Sequence, residues 1–583
     1  MILQALHEYY LRKATDSDSG IAPEGMERKE IPFIIVIDNQ GNFIDFHDKK
    51  GKIFLVPKGE DGRTNTVKPN LLWDHYGYVL GFTKSTLQKD IDKTIRQHIA
   101  FVDRLNVICK NFAMVEEVQA ILKFYEKEQI KRVFEHSNWK NCMAINNCNL
   151  SFKIVGDKDI IAEKEMILSL MNSTLTSEKD NCVKSRCLVT GRIEPIARLH
   201  TEIKMKGLNG QVFPKTLLVN FQKQKGYDSY GKVQGYNAPV SITAKNGYST
   251  ALKTLISSKQ NSFMVGDMTL VFWAEKITEF ENYFSFIFDT PPSDDPDRNT
   301  KAVRNLYESL YSGKLNTQED NKFYILGLSP ANKARICVRF WKRGTVKDFA
   351  EKIKQHFDDL EIIQRDGDIA HFPLRLVLQN IALNEKDDKI PPNLAGDMVR
   401  SIIEGLPYPA ILLNSCINRI RAEQSRKNKN GKPVENVNCI RASILKAYIN
   451  RQIRSNRLYN KQEKELLMSL DRDNKSTAYR LGRLFATLEK IQEDAQPGIN
   501  ATIRDRFYSS ASSCPSSAFP LLIRLKNAHL NKLHTGQKIN YEKQIGEIMD
   551  GIPPKMPAHL NLNQQATFAV GYYHQKQSFY LKK

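Results

Sequence analysis

The sequence predicts an α+β protein, a mixed multi-part N-terminal region followed by a C-terminal all-α helical bundle. Short β-branched and aromatic runs bounded by turn residues mark the first part, among them Ile31–Asp38, Met268–Trp273 and Ala334–Trp341. Past the loop-forming cluster Asp387, Asp388, Pro391 and Pro392, apolar residues recur at spacings of three and four instead. At 583 residues the chain is also too long for one hydrophobic core. The expected division is 1–389, with a sub-boundary near 140–150, and 390–583.

In chain order, Leu3, Leu6 and Tyr10 predict an amphipathic helix over residues 1–13. Ile31–Asp38, the turn Asn39–Asn42 and Phe43–Phe46 form a hairpin pattern, with Pro32 tolerable at the start of its strand. Residues 85–135 carry helical periodicity without Pro or Gly. Strands are expected at Lys215–Phe221 and Met268–Trp273, and an exposed acidic loop at Pro291–Asp297. Phe323–Leu328 and Ala334–Trp341 form a strand–turn–strand pattern in which Arg335 and Arg339 share a face. In Ser476–Ala495, capped by Ser476 or Thr477, Leu481, Leu484, Phe485, Leu488 and Ile491 make a core stripe. Arg480, Arg483, Thr487 and Lys490 fall on another face, which suits phosphates or simply solvent.

The hydrophobic fraction of 41% supports packed cores, and the net charge of +21 makes a polyanion the leading partner. Residues 391–583 hold twice as many Lys and Arg as Asp and Glu, and with them most of that excess. The start lacks a basic n-region and an apolar h-region, and no run reaches the roughly 20 apolar residues of a membrane span. A cytoplasmic protein without membrane contact is expected.

Enzyme signatures are missing from the sequence: there is no phosphate-binding Gly-rich loop ending in Gly-Lys-Ser/Thr, no His-Glu-x-x-His and no Gly-x-Ser-x-Gly. His47-Asp48 closes a hairpin strand, and His574 sits in an aromatic segment, so no catalytic residue, cofactor or enzymatic activity is assigned. Cys142/Cys148 and Cys182/Cys187 would supply four thiolates, but their spacing is looser than zinc knuckles use. No metal is assigned, and an odd count of nine cysteines argues against a secreted disulfide scaffold.

Three loops combine Gly, Lys and amide side chains, which approach, neutralise and hydrogen-bond nucleic acid respectively. Ile203–Gln211 offers Lys204, Lys206, Asn209 and Gln211. Ser229–Asn237 offers Lys232, Gln234 and Asn237, and Val56–Asn70 offers Lys58, Arg63, Asn65, Lys68 and Asn70. Ordinary surface turns use the same residue types. Gln211, Asn209 and Gln234 are the candidates for a wedge between base pairs.

Several stretches, in order along the whole chain, resemble one known family. They are Met1–Leu6, Val189-Thr-Gly-Arg192 leading into Pro195–His200, Tyr230–Val240, Leu326–Pro330 with Ala334–Trp341, Ala478–Phe485, Asn500–Tyr508 and Gly571–Gln575. On these the chain resembles the large subunit of the type I-C (Dvulg subtype) CRISPR Cascade complex. The resemblance implies a non-catalytic subunit beside the crRNA 5′ handle that inspects double-stranded DNA for a short, TTC-like flanking motif. It implies help with duplex opening and R-loop formation, and contact with the displaced strand. Arg480, Arg483, Lys490, Arg504 and Arg506 are the candidates for that contact. The implied partners are crRNA, the backbone, handle-binding and small Cascade subunits, and a recruited helicase-nuclease. A small helical subunit from an internal start is also implied, at Met468 or Met398. The competing expectation is a structural RNA-binding scaffold that holds crRNA without reading DNA.

Overall fold

The computed structural model describes the chain apart from residues 15–19, 61–62, 64–65, 112–115, 165–166, 168–181, 208–209, 224–227, 229, 277, 289–297, 312–320, 333, 365–370, 387–388, 392, 429–430, 432, 457–463 and 581–583. The loop expected at Pro291–Asp297 and much of the expected boundary cluster therefore lie outside the described residues. The chain divides into two compact units, 1–205 with 212–257 and 331–336, and 206–211 with 258–330 and 337–583.

The first unit begins with α1 (Ile2–Ala14), followed by β1 (Met26–Glu30), β2 (Phe33–Ile37), β3 (Phe43–Asp48), β4 (Ile53–Pro57) and β5 (Trp73–His75). The expected hairpin is β2–β3, antiparallel with a bulge at Val36/Ile37. Its turn needs glycine twice over. Gly41 has φ +78°, and a Cβ there would lie 2.5 Å from Phe124 N and 2.7 Å from Ala120 O. The 85–135 region is three helices, α2 (Gln88–Asn111), α3 (Glu116–Glu126) and α4 (Ile130–Glu135), followed by α5 (Trp139–Ala144). Then β6 (Asn149–Ile154) pairs parallel with β2, giving a sheet of order β3-β2-β6-β5. A parallel pair needs a long crossover, and the connection from β2 to β6 contains these helices. Every residue of β2 is buried, as its unbroken apolar run requires of an inner strand.

Farther on lie β7 (Lys184–Arg186), β8 (Ile193–Pro195), β9 (Ile203–Lys206), β10 (Val212–Thr216) and α6 (Ile242–Ser257). The strand expected over Lys215–Phe221 reaches only Thr216. From there the backbone turns to another partner: Leu217 N donates to Ala334 O at 3.0 Å and Ile336 N donates to Leu217 O at 3.1 Å. Helix α6 packs on α1 so closely that a Cβ at Gly247 would strike His7.

The second unit is built on the sheet β11 (Ser262–Val265), β12 (Met268–Ala274), β13 (Lys322–Asn332) and β14 (Arg335–Thr345), in that order. β12 is buried along its whole length. Helices α7 (Phe280–Phe288) and α8 (Arg298–Tyr311) lie between β12 and β13 in sequence. An all-helical run follows: α9 (Val346–Leu360), α10 (Leu374–Ile381), α11 (Leu394–Glu404), α12 (Ala410–Ala422) and α13 (Cys439–Asn456). It ends with α14 (Thr477–Ala495), α15 (Ile503–Ser513), α16 (Pro515–Leu530), α17 (Thr535–Asp550) and α18 (Leu562–Ser578). The chain is thus α+β with a helical C-terminal region. One hydrophobic core runs from Val265 in the sheet to Tyr573 in α18, straight through residue 390. Burial, rather than the change from strand to helix, defines the unit.

Helix α14 starts at the expected cap, with Ser476 accepting from Tyr479 N, and its five core-stripe residues are all buried. It crosses α18 backbone to backbone. A Cβ on Gly482 would fall on the Phe568 carbonyl, and one on Gly571 on the Tyr479 carbonyl. Around that crossing Tyr479 Oη and His574 Nδ1 are 2.9 Å apart, and Arg483 Nε donates to Gln575 Oε1 at 3.1 Å. Two of the signature stretches, Ala478–Phe485 and Gly571–Gln575, are therefore the two sides of one helix crossing.

Candidate nucleic-acid interface

Alternation sets β9: Ile203 and Met205 are buried while Lys204 and Lys206 are exposed. Gly207 N donates to Gln211 O at 2.8 Å, and Gln211 is exposed on the tightened turn. Asn209 lies outside the described residues.

The 230–237 segment is a braced loop. Tyr230 and Gln234 hold left-handed backbone at φ 51° and 50°, with Gly231 at 71°. Such geometry persists only where the surroundings hold it, and here they do. Gln234 N donates to Asp228 Oδ1 at 3.0 Å, Gly235 N to Arg198 O at 3.0 Å, and Arg198 Nη1 to Gln234 Oε1 at 2.5 Å. Asn237 Nδ2 bonds the Lys232 and Gln234 carbonyls. The Gln234 and Asn237 side chains thus build the loop, whereas Lys232 is exposed and Tyr230 is 100% exposed. Sequence reasoning missed Tyr230 and Arg198. The signal available for Tyr230 was an aromatic residue beside Gly-Lys.

Among its described residues the third loop is mostly turned inward, a correction to its reading as a DNA-reaching segment. Arg63 pairs with Asp74 at 2.7 Å, and Asp74 is 1% exposed. Asn70 is buried and accepts from Glu60 N at 3.0 Å. Lys58 Nζ donates to Asn246 Oδ1 at 2.7 Å. These groups hold backbone and carboxylate groups that would otherwise be buried unpaired. Lys68 remains exposed, and Asn65 lies outside the described residues.

A similar correction applies to the helical cations. Arg483 on α14 is 3% and Arg504 on α15 5% exposed, because neighbouring segments cover the polar faces of these helices as well as their apolar ones. Arg483 donates to the Arg472 carbonyl and Arg504 to Asp505. Arg480 is half-buried against Gly551, with Nε donating to Asn474 O at 2.7 Å. Lys490 pairs with Asp494 at 2.7 Å. Arg506 alone of these five is exposed.

His47-Asp48 closes β3 as expected, and His47 sits 2.9 Å from Asp45, which His136 also approaches at 3.1 Å. Burial drives the His574 pKa down to about 3, so it is neutral at pH 7. Cys142 lies beside Cys148, and that contact together with burial raises its thiol pKa. Burial acts to raise Cys187, but amide donors from Ser241 and Thr190 outweigh it and hold the thiol below its ordinary range. Among the described residues no three His, Cys, Asp or Glu side chains converge as metal ligands. None of the helices in those residues is long and apolar enough to cross a membrane.

No curated protein matches the chain. A family model described as CRISPR-associated protein (Cas_Csd1) matches residues 6–580. That span is nearly the whole chain and takes in every signature stretch after the first few residues, so the protein belongs to the Cas_Csd1 family of CRISPR-associated proteins.

Proposed function

We propose that this protein is the large subunit of a type I-C Cascade complex, a non-catalytic subunit that reads a short flanking motif in duplex DNA and helps open the duplex. One observation carries the reading. The 230–237 loop, strained and braced, presents a fully exposed Tyr230 next to exposed Lys232, while β9 presents Lys204 and Lys206. Lysines grip phosphates without sequence preference, and an exposed aromatic ring enters a base stack where a flexible amide would not. Tyr230 therefore replaces Gln234 as the wedge candidate, since the Gln234 amide already holds Arg198. Gln211 stays as a groove contact. The crRNA, displaced-strand, Cascade-subunit and helicase-nuclease contacts belong to the same proposal, as does a cytoplasmic location.

An internal start favours Met468 over Met398. Met398 is buried within α11, whereas Met468 is exposed ahead of α14, so a fragment begun there contains α14–α18 entire.

The test is binding of the assembled, guide-loaded complex to matched duplexes with and without the flanking trinucleotide, at fixed salt. Binding that needs both this subunit and the motif, and that weakens in Tyr230→Ala, supports the reading. Indifference to the motif would make the subunit a crRNA-holding scaffold instead.

A further inference from the structure

We propose that the β7–β8 ribbon of the first unit grips the phosphate backbone of the duplex that stays paired beyond the flanking motif. This deepens the nucleic-acid reading above and rests on it. The ribbon sorts its charges by face. Directly paired residues of antiparallel strands share a face, and neighbours along a strand alternate. Lys184 with Pro195 and Arg186 with Ile193 therefore occupy one face, and Ser185 with Glu194 the other. Burial lowers the pKa of His7 in α1 and the nearby Glu194 charge opposes that, so the carboxylate face is turned toward the body of the unit. Glu194 is also engaged by Thr190 Oγ1, which donates to it at 2.9 Å. On the other face Lys184, Arg186 and Ile193 are exposed, and so are Leu188 and Arg192 on the turn between the strands. Residues 183–199 hold four cations and one carboxylate, and the carboxylate is the group turned in. Among the described residues neither Arg186 nor Arg192 pairs with a carboxylate; Arg186 Nη1 donates to the Gly191 carbonyl at 2.8 Å.

The ribbon is also fixed in place. Cys187 Sγ, buried under the turn, accepts from Val189 N, Thr190 N and Ser241 N at 3.3, 3.4 and 3.2 Å. Leu188 N donates to Pro239 O and Ala197 N to Val240 O, both at 2.9 Å, so the two ends of the ribbon are tied to residues 239–241. That segment follows directly on the braced loop that carries Tyr230, and Arg198, just past β8, bonds Gln234 of that loop. Ribbon and wedge thus belong to one hydrogen-bonded framework. A wedge separates base pairs only where the paired DNA behind it is held, since otherwise the duplex slides off the ring instead of opening. Exposed cations on the same framework supply that hold, and phosphates suit them because they carry charge at every step whatever the sequence. Continuity with the wedge favours duplex DNA here over the guide or an acidic protein surface.

The assembled, guide-loaded complex is titrated with matched duplexes that carry the flanking motif and extend either about 2 or about 12 base pairs beyond it, the longer flank spanning roughly 40 Å. On the long flank we expect Arg186→Gln/Arg192→Gln to reduce the magnitude of the salt slope by about 1.8, or about 0.9 per lost phosphate contact, while preference for the motif is kept. On the short flank the same double variant should match the wild type. Arg186→Lys/Arg192→Lys should hold the wild-type slope on both flanks, because the slope counts charges. A glutamine variant with an unchanged slope, or with an equal loss on both flanks as contact with the guide or another subunit would give, overturns the ribbon assignment; a retained motif preference then leaves motif reading intact. A wild-type complex that ignores the motif, yet shows the loss on the long flank alone, overturns motif reading and leaves the ribbon as a duplex clamp.

Discussion

Gly482→Ala tests the backbone contact on which the helical region is assembled. The added Cβ would fall on the Phe568 carbonyl oxygen and 2.8 Å from Tyr572 N. These are backbone atoms of α18, which cannot rotate aside as a side chain can, so α14 and α18 must separate. Overpacking of this kind costs about 1–3 kcal/mol, and the rigid partner puts the site at the top of that range. Alanine recovers about 1 kcal/mol of helix propensity over glycine, leaving a net loss of about 2 kcal/mol. For a unit of this size that corresponds to a fall of about 3 °C in Tm. Gly546 in α17 is the control, because a Cβ there meets nothing within 4 Å. Gly546→Ala should be neutral or stabilising by up to about 1 kcal/mol. Scanning calorimetry of the full chain reads both variants. A Gly482→Ala protein melting at or above the wild type would refute the close crossing. The Gly571→Ala change should then add less than its own full effect to Gly482→Ala, since both widen one contact.

Arg63→Met should lose about 3 kcal/mol of stability, seen as a lower urea midpoint, because it strips the guanidinium from buried Asp74. Lys68→Ala should leave that midpoint within about 0.5 kcal/mol. Lys204→Ala and Lys232→Ala, each on an exposed cation, should reduce the magnitude of the salt slope of duplex binding by about 0.9 apiece, read by titrations between about 50 and 200 mM salt. For pH, burial holds His200 and His574 at about 4 and about 3, below the unfolded value of 6.5. The unfolded chain therefore takes up protons first. Their contribution to stability is full above about pH 6.5 and falls with pH through the folded values, each ring adding a slope of up to about 1.4 kcal/mol per unit. Urea midpoints at pH 7.5 and 5.5 should differ in the wild type and differ less in His574→Gln; a flat profile would count against neutral burial.

Local patterns were legible wherever one periodicity dominated. The β2–β3 hairpin and the Ser476 cap follow from alternation, turn residues and capping chemistry. Lys204 and Lys206 were expected in a loop, whereas Ile203–Lys206 is the strand β9, whose alternation turns both outward. What the sequence hid was the partner of each polar group. Arg63 and Lys68 lie five residues apart in one loop, yet the first closes on Asp74 while the second stays exposed. Nothing in their spacing separates them, since the choice depends on a carboxylate brought in by β5. Gln234 and Asn237 were equally ambiguous: amides beside glycine serve DNA or their own turn, and here they bond Arg198 and the local carbonyls. The inward turn of Glu194 was hidden for the same reason, as only the fold brings His7 near it.

Charge counting fails in the same physical way, with a consequence for where nucleic acid binds. The helical region holds most of the positive excess, but Arg419, Arg441, Arg451, Arg483 and Arg504 are all buried there. Glu423 faces Arg419, Arg426 and Arg441 together. Burial alone would raise its pKa, but the guanidinium groups hold it below the usual carboxylate range. Asp359 likewise joins Arg451 at 2.7 Å to Arg454 at 2.5 Å. Arginine is suited to such sites because its planar fork satisfies several acceptors at once and stays charged when buried. Cations used this way release few counterions, so they contribute little to the salt dependence of binding. Sequence composition therefore overstates the helical region as a polyanion surface and understates the short exposed segments at Lys204 and Lys232. If that inference holds, neutralising Lys204 and Lys232 together should flatten the salt slope more than neutralising Arg483 and Arg504 together, although the second pair should cost far more stability.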